Sequence, residues 1–427
     1  MLPAKYIDEI KNNEDLCFHS YIAKVERLMR YAVEMPEFFA GYPGFEGFGT
    51  TVDQTIFQDA LRIQLSRVIA LTIDPMAKEA PRTLKMTFGD SPDWKEVVFV
   101  PTILTVVSRL ISLVFLGEQF MENKEWQQIS MMYTVDSFVA AMKLNSFPTL
   151  LRPIVHWFLP ECRKIREEIK LCRSLITPEV ERRLDERRKA KQAETTDEGQ
   201  PFDYPLAELS MAIAATHTTD SAFGFAFFDL LENPQCIQPL RDEVIEVFQQ
   251  EAKWNKSTIA KLRFMDSFIK ESMRYHPHSA FHFPRMAKKT ITLSDGTVIP
   301  KNAYMSVGPT PMGDPSVWPN PDTFDPYRFL KLRNLPGNEN RYQAVTTSCD
   351  ITVFGHGAHS CPGRFFAMNE MKLLLAHLII EYDWKLPEGQ TRVQHEVNGA
   401  FNSPNSKQPV LFRKRTPEID FMALYEE

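Results

Sequence analysis

The first stretch of the chain, MLPAKYIDEIKNNEDLCF, has no apolar run long enough for a signal peptide or a membrane anchor and carries charge from Lys5 onward. Basic residues are not in excess: 49 Lys and Arg stand against 55 Asp and Glu, a formal net charge of -6. That balance excludes a global electrostatic signal for nucleic acid. Cysteine is scarce. Cys17, Cys162, Cys172, Cys236, Cys349 and Cys361 are scattered through 427 residues without paired spacing, which excludes a disulfide framework and favours a reducing compartment. No flavin or nicotinamide motif is present, no internal repeat, and no linker that would cut the chain in half.

The residues that are present describe a folded, mainly helical chain. Hydrophobic residues make up 44% and charged residues 24%, enough to bury a substantial core. DALRIQLSRVIALTI, SFVAAMKLNSF, PECRKIREEIKLCRSL, LRDEVIEVFQQEA and NEMKLLLAHLIIEY place apolar residues three and four apart, the period of an amphipathic helix. TITLSDGTVIPKNAYMSV alternates around Asp295-Gly296 and predicts a hairpin. The expected class is mainly α with small β-sheets in a single domain over residues 1 to 427. The longest apolar stretch, from Val97 to Gly117, contains Pro101 and Arg109, so it predicts a buried helix rather than a membrane span. Residues 181 to 201 predict a basic, solvated helix end decaying into a surface loop, and GYPGFEGFGTT (41 to 51) an irregular loop that could cover a pocket.

The stretch FGHGAHSCPGRFF, residues 354 to 366, decides the chemistry. Cys349, His356, His359 and Cys361 could supply a Cys2His2 zinc set, but four ligands would then have to fold around Gly355, Gly357 and a seven-residue gap, a poor spacing for zinc knuckles. His276, His278 and His282 also have no cluster spacing for a metal. Cys361, followed by Pro362, Gly363 and an apolar run, is instead expected at a helix N-terminus, where peptide dipoles and unsatisfied N–H groups favour a thiolate. Such a cysteine suits a metal whose other ligands come from elsewhere. Haem iron meets that description, and an axial thiolate pushes electron density toward it and favours O–O cleavage.

The segment resembles the haem-binding signature of cytochromes P450, Phe-x-x-Gly-x-x-x-Cys-x-Gly, at every fixed position. The resemblance implies Cys361 as the iron ligand of haem b (iron protoporphyrin IX) and Phe354 packed beside the sulfur. Gly357 would permit the hairpin under the porphyrin, Gly363 a close approach of the helix backbone to the sulfur, and His359 a propionate contact. Glu271 and Arg274 in KESMRYHP match the family's Glu-x-x-Arg, and Arg328 in FDPYRF completes the implied Glu-Arg-Arg network, a structural lock with no part in the chemistry. Arg285 in FHFPRMA stands where the family commonly places a propionate-binding Arg. Ala214-Ala215-Thr216-His217-Thr218-Thr219 aligns with the family's oxygen-activating helix motif, which puts Thr218 at the oxygen-contacting threonine and His217 at the usual acid. Ala215 replaces a glycine there and His217 a carboxylate, and an imidazole titrating near neutrality could still relay protons. By family position the substrate pocket would draw on the 43 to 60 loop, Ala212 to Ala215, residues 278 to 283 and residues 398 to 404. Ala214, Ala215, Phe281, Phe283 and Phe401 are its expected wall.

The similarity to fungal P450s of secondary metabolism, including relatives of the ent-kaurene oxidases, implies a monooxygenase that inserts one atom of O2 into a small apolar substrate, a terpenoid or related metabolite. NADPH-cytochrome P450 reductase would supply electrons. The family also implies the cytosolic face of the endoplasmic reticulum, with peripheral membrane contact through apolar surface and a cytoplasmic location as the alternative. LPAKYIDEIKN resembles the family's helix B and the strand end before it, so the chain reads as N-terminally incomplete, with a small sheet expected to lack strands and to leave an edge exposed. A catalytically silent haem-binding remnant and a zinc-binding protein are the competing readings.

Overall fold

A computed structural model describes residues 1–18, 42–48, 60–190, 203–308, 311–399 and 401–425. The main helices are α1 (Ser66–Phe88), α2 (Phe99–Phe115), α3 (Lys124–Asn145), α4 (Pro160–Ala190), α5 (Tyr204–Glu232), α6 (Ile237–Glu251), α7 (Arg263–Tyr275), α8 (Arg328–Arg333) and α9 (Arg364–Glu381). The strands are β1 (Leu16–Cys17), β2 (Lys95–Val98), β3 (His282–Ala287), β4 (Ile291–Thr292), β5 (Val298–Ile299), β6 (Tyr304–Val307), β7 (Tyr382–Lys385), β8 (Glu396–Asn398), β9 (Phe401–Ser403) and β10 (Pro409–Lys414). The class is mainly α with small antiparallel sheets, and the apolar stretch near residue 100 forms α2. No helix among the described residues is long and apolar enough to cross a membrane. The chain packs as two compact units, one holding the described residues from the start to 18, from 65 to 107 and from 218 onward, the other holding the rest.

In the larger unit α9 is buried almost from end to end, its Glu370, Lys372, His377 and Glu381 included, so the helix has almost no solvent face. It packs along α1. Aromatic rings fill the space beside it: Phe88 meets Tyr382, Trp384 and Phe412 edge-on at 5.2–5.7 Å, and Phe99 stacks on Phe227 at 3.7 Å. Three strands in the order β1-β3-β6 form one sheet, and β2-β10-β7 another. The hairpin expected at Asp295-Gly296 is β4-β5, with Gly296 in the left-handed region at φ 87°. Leu2 lies against β6, its N–H on the Ser306 carbonyl and its own carbonyl taking the Gly308 N–H. The first residues therefore contribute to both sides of the sheet that was expected to be short of strands.

In the smaller unit α3 packs on α4 around Trp126, Tyr133, Ile165 and Cys172. The Asn123 side chain caps the start of α3 by accepting the Trp126 N–H at 2.9 Å. The segment expected to be an irregular loop is irregular where it is described, and it is also packed. Phe45 is fully buried, Tyr133 Oη donates to the Gly44 carbonyl at 2.8 Å, and a Cβ on Gly47 would lie 2.6 Å from the Tyr133 ring. A glycine here answers to packing, not to loop mobility. Residues 49–59 of the expected substrate-pocket loop, and residues 191–202, lie outside the described residues.

Candidate active site

Left-handed glycines shape the turn before Cys361. Gly355 and Gly357 have φ of 65° and 75°, where a side chain is strained. The turn closes with the Cys361 N–H on the Phe354 carbonyl at 2.7 Å and the Ser360 N–H on the Gly357 carbonyl at 3.1 Å. Asn12 Oδ1 reaches in from the N-terminal residues to accept the Ala358 N–H at 2.8 Å. A Cβ on Gly357 would sit 2.7 Å from Asn12 Oδ1 and Lys11 Cβ, so this glycine makes room for the N-terminal segment as well as for the turn. A Cβ on Gly363 would meet Cys361 Sγ at 3.9 Å, ordinary contact, and the sulfur alone does not require glycine there. Phe354 and His359 are both half-buried in this turn.

Cys361 precedes α9, whose N-cap is Gly363. The expected stabilisation of a thiolate is only partly met. Burial pushes the thiol above its ordinary range, while the N–H groups of Gly363 and Arg364 and the Arg364 charge pull it down without cancelling the shift. The sulfur is presented for ligation, but it needs a cation to be fully ionised. Cys349 and His356 do not join it. Their ligand atoms gather with Asp8 instead, which breaks up the Cys2His2 set weighed from the sequence.

Arg285, 5% exposed on β3, donates to the Pro284 carbonyl at 2.8 Å and lies 5.5–5.6 Å from the rings of Phe18 and Phe283. Burial pushes its guanidinium down to about 10. No carboxylate among the described residues pairs with it. A buried cation without an acid partner, together with a lone soft sulfur donor, fits a dianionic porphyrin carrying a thiolate-seeking metal.

Behind this turn, Glu271 accepts from Arg274 Nε and Nη2 at 2.8 and 2.9 Å and from Arg328 Nε at 3.0 Å on both oxygens. The two guanidinium groups also donate to the carbonyls of Met312, Pro319, Pro321 and Thr323 at 2.7–2.9 Å. All three side chains are buried and every charge is paired, so the network ties α7 to the start of α8.

On α5, Ala214 and Thr218 are exposed one turn apart on one face, while Thr216, Thr219 and Asp220 are buried on the other. His217 departs from its expected role in one respect. Burial lowers its pKa although the Met131 carbonyl raises it, and its Nε2 has no partner, so the ring is held neutral at ordinary pH. The acid near this motif is Asp220, whose pKa burial raises well above the carboxylate range and whose Oδ1 has no partner. The Thr-Thr-Asp run was visible in the sequence, but not the burial. Of the expected pocket residues, Phe281 is half-buried and Phe401 sits at the start of β9, paired with Ser279. Phe283 instead packs into the core with Leu2, Ile7 and Leu16, because the β3 register breaks between His282 and Arg285 and Phe283 takes a φ of 54°.

A family model described as Cytochrome P450 matches residues 65–412. The chain is 36% identical to the cytochrome P450 monooxygenase adrA of Penicillium rubens over 99% of its own length and 82% of that protein. It is 35% identical to the cytochrome P450 monooxygenase hepE of Aspergillus oryzae over 97% and 76%, and 34% identical to cytochrome P450 monooxygenase 1 of Gibberella fujikuroi over 98% and 96%. Among solved structures, a retinoic acid-bound cyanobacterial CYP120A1 aligns with a TM-score of 0.62 at 20% identity, covering 84% of this chain and 78% of the other, a likeness of fold.

Proposed function

This chain belongs to the cytochrome P450 family, and from that premise we propose that it is a monooxygenase of the fungal secondary-metabolism kind in which the Cys361 sulfur would hold the haem iron. The haem, when bound, supplies the one-electron and oxygen chemistry that no side chain can. The protein's own residues bind, orient and move protons. Cys361 would present its sulfur from the glycine turn, and Arg285 and His359 would hold the propionates. Thr218, on the exposed face of α5, positions a hydroxyl for proton delivery, with His217 beside it in sequence. The observation that carries this reading is the buried, acid-free Arg285 in the same unit as the half-buried Cys361 thiol.

The substrate proposed is a small apolar molecule of the terpenoid class, with Phe281 and Phe401 of the larger unit as proposed contacts, while Phe283 belongs to the core. NADPH-cytochrome P450 reductase is the proposed electron donor and O2 the co-substrate. Exposed Leu150, Leu151, Ile154, Trp157 and Phe158 form the apolar surface proposed for peripheral contact with the endoplasmic reticulum membrane. A silent haem-binding protein is the second reading, favoured by Ala215 and by a His217 held neutral against the Met131 carbonyl.

The reduced carbon monoxide difference spectrum of the purified chain is the test. The wild type should give the thiolate-type Soret band and Cys361→Ala should lose it, whereas an unchanged band in the variant overturns the ligand assignment. NADPH-driven oxidation of a terpenoid panel with added reductase then separates enzyme from remnant: turnover supports the former, haem uptake without turnover the latter.

A further inference from the structure

Three side chains with metal-binding atoms meet at a place that the haem reading gives no task. Asp8 lies on the short helical turn Ile7–Ile10, while Cys349 lies on the loop that leads into the turn before Cys361 and His356 lies within that turn. One ligand atom from each lies within 4.8 Å of the other two. Cys349 Sγ donates to Asp8 Oδ2 at 3.1 Å. Lys11 Nζ holds the other oxygen, Oδ1, at 2.6 Å and so fixes the rotation of the carboxylate. Thr347 Oγ1 stands 3.0 Å from His356 Nδ1, the kind of neighbour that orients a ligating imidazole.

We infer that Asp8, Cys349 and His356 form a zinc-binding site. Zinc takes sulfur at about 2.3 Å and carboxylate oxygen at about 2.1 Å with tetrahedral angles, which sets the two donors roughly 3.6 Å apart. The observed 3.1 Å needs only a small opening of the thiol and carboxylate. A thiolate with an imidazole and one carboxylate selects zinc over calcium or magnesium, which prefer oxygen donors alone. Three protein ligands leave a fourth position for water, and the cluster is open enough to admit it, since Asp8 is exposed and the other two are half-buried. As the sulfur–zinc bond forms, the Cys349 thiol proton leaves to solvent and no oxidant or reductant is needed.

The site has a structural consequence. Asp8 and Cys349 are 341 positions apart in the chain, and His356 precedes Cys361 by five residues. Bound zinc would clip the N-terminal turn to the loop that carries the cysteine, reinforcing the contact that Asn12 already makes with Ala358 at 2.8 Å. This inference does not depend on the haem reading, because none of its three ligands is a proposed haem contact.

The test uses the haem-loaded chain, in which Cys361 is occupied, stripped with chelator and equilibrated with zinc chloride, with bound metal measured by mass spectrometry. One zinc per chain is expected. Asp8→Asn and Cys349→Ser should each weaken binding at least about tenfold, while Cys17→Ser, a half-buried thiol elsewhere, should bind as the wild type does. Cobalt(II) in place of zinc should give a thiolate-to-metal charge-transfer band that Cys349→Ser abolishes. Wild-type protein that retains no zinc, or Asp8→Asn and Cys349→Ser proteins that bind it as the wild type does, overturns the site. Asp8→Asn lies away from the Cys361 loop, so an intact Soret spectrum and circular dichroism separate ligand loss from misfolding. If the chain takes up no haem, the same titration in a Cys361→Ala background tests the site while that failure counts against the haem reading alone.

Discussion

Arg285 carries a charge that its surroundings do not answer. It is buried, two aromatic rings flank it, and its side chain donates to a neutral carbonyl. Exchanging the guanidinium for a hydrocarbon should therefore have opposite effects with and without cofactor. In the apo-protein Arg285→Met removes an uncompensated buried cation and should raise the unfolding midpoint. In the loaded protein it removes a charge-assisted hydrogen bond worth ~1.5–3 kcal/mol, so haem should transfer to an apo-globin acceptor roughly 10–100-fold faster. Stopped-flow haem transfer and chemical denaturation read the two effects, and an unchanged transfer rate would remove Arg285 from the propionate site. The sequence motif located this residue. Its isolation from any acid appears only when β3 is folded under the N-terminal residues.

At the scale of elements, α9 joins Cys361, the proposed haem ligand, to the centre of the larger unit. Nine residues after Cys361 it buries Glu370 completely, with neither carboxylate oxygen bonded, and burial raises this pKa well above 4.5. A carboxyl whose folded pKa is raised binds more protons folded than unfolded. Its stabilising share is present below the unfolded pKa and is lost as pH rises, by about 1.4 kcal/mol per unit. Glu370→Gln should remove that slope and stabilise the protein at neutral pH. Thermal unfolding of both proteins across pH 5–8 checks this, and parallel curves would contradict it. In the α7–α8 tie the carboxylate of Glu271 meets two guanidinium groups at 2.8–3.0 Å. The Glu-x-x-Arg spacing was legible because three residues make most of a helical turn. The reach of Arg328 into the same carboxylate, 57 positions away, was expected only through the family resemblance, since no local spacing implies it.

For the whole molecule, buried histidines should make acid damaging. Burial pushes His278 and His395 down to about 4, with the charge of His276 adding to the effect. These rings stay neutral in the fold while the unfolded chain takes up protons near 6.5. The unfolded state then binds more protons between roughly pH 6.5 and 4, and stability falls as pH drops through that window. His278→Gln should flatten the fall in urea midpoint between pH 6.5 and 4.5; an equal fall in both proteins would place the sensitivity elsewhere.

The sequence by itself determined the helical class, the Asp295-Gly296 hairpin, the Cys361 turn and the Glu271–Arg274 spacing, because each depends on residues a few positions apart and on backbone preferences that act locally. Tertiary structure alone decided what distance in the chain conceals: Phe45 as core, Phe283 in the core with Leu2 and Ile7, His217 held neutral, and Asp8 beside Cys349. Burial and charge pairing are properties of neighbours in space, and a pKa or a ligand set exists only once those neighbours have been brought together.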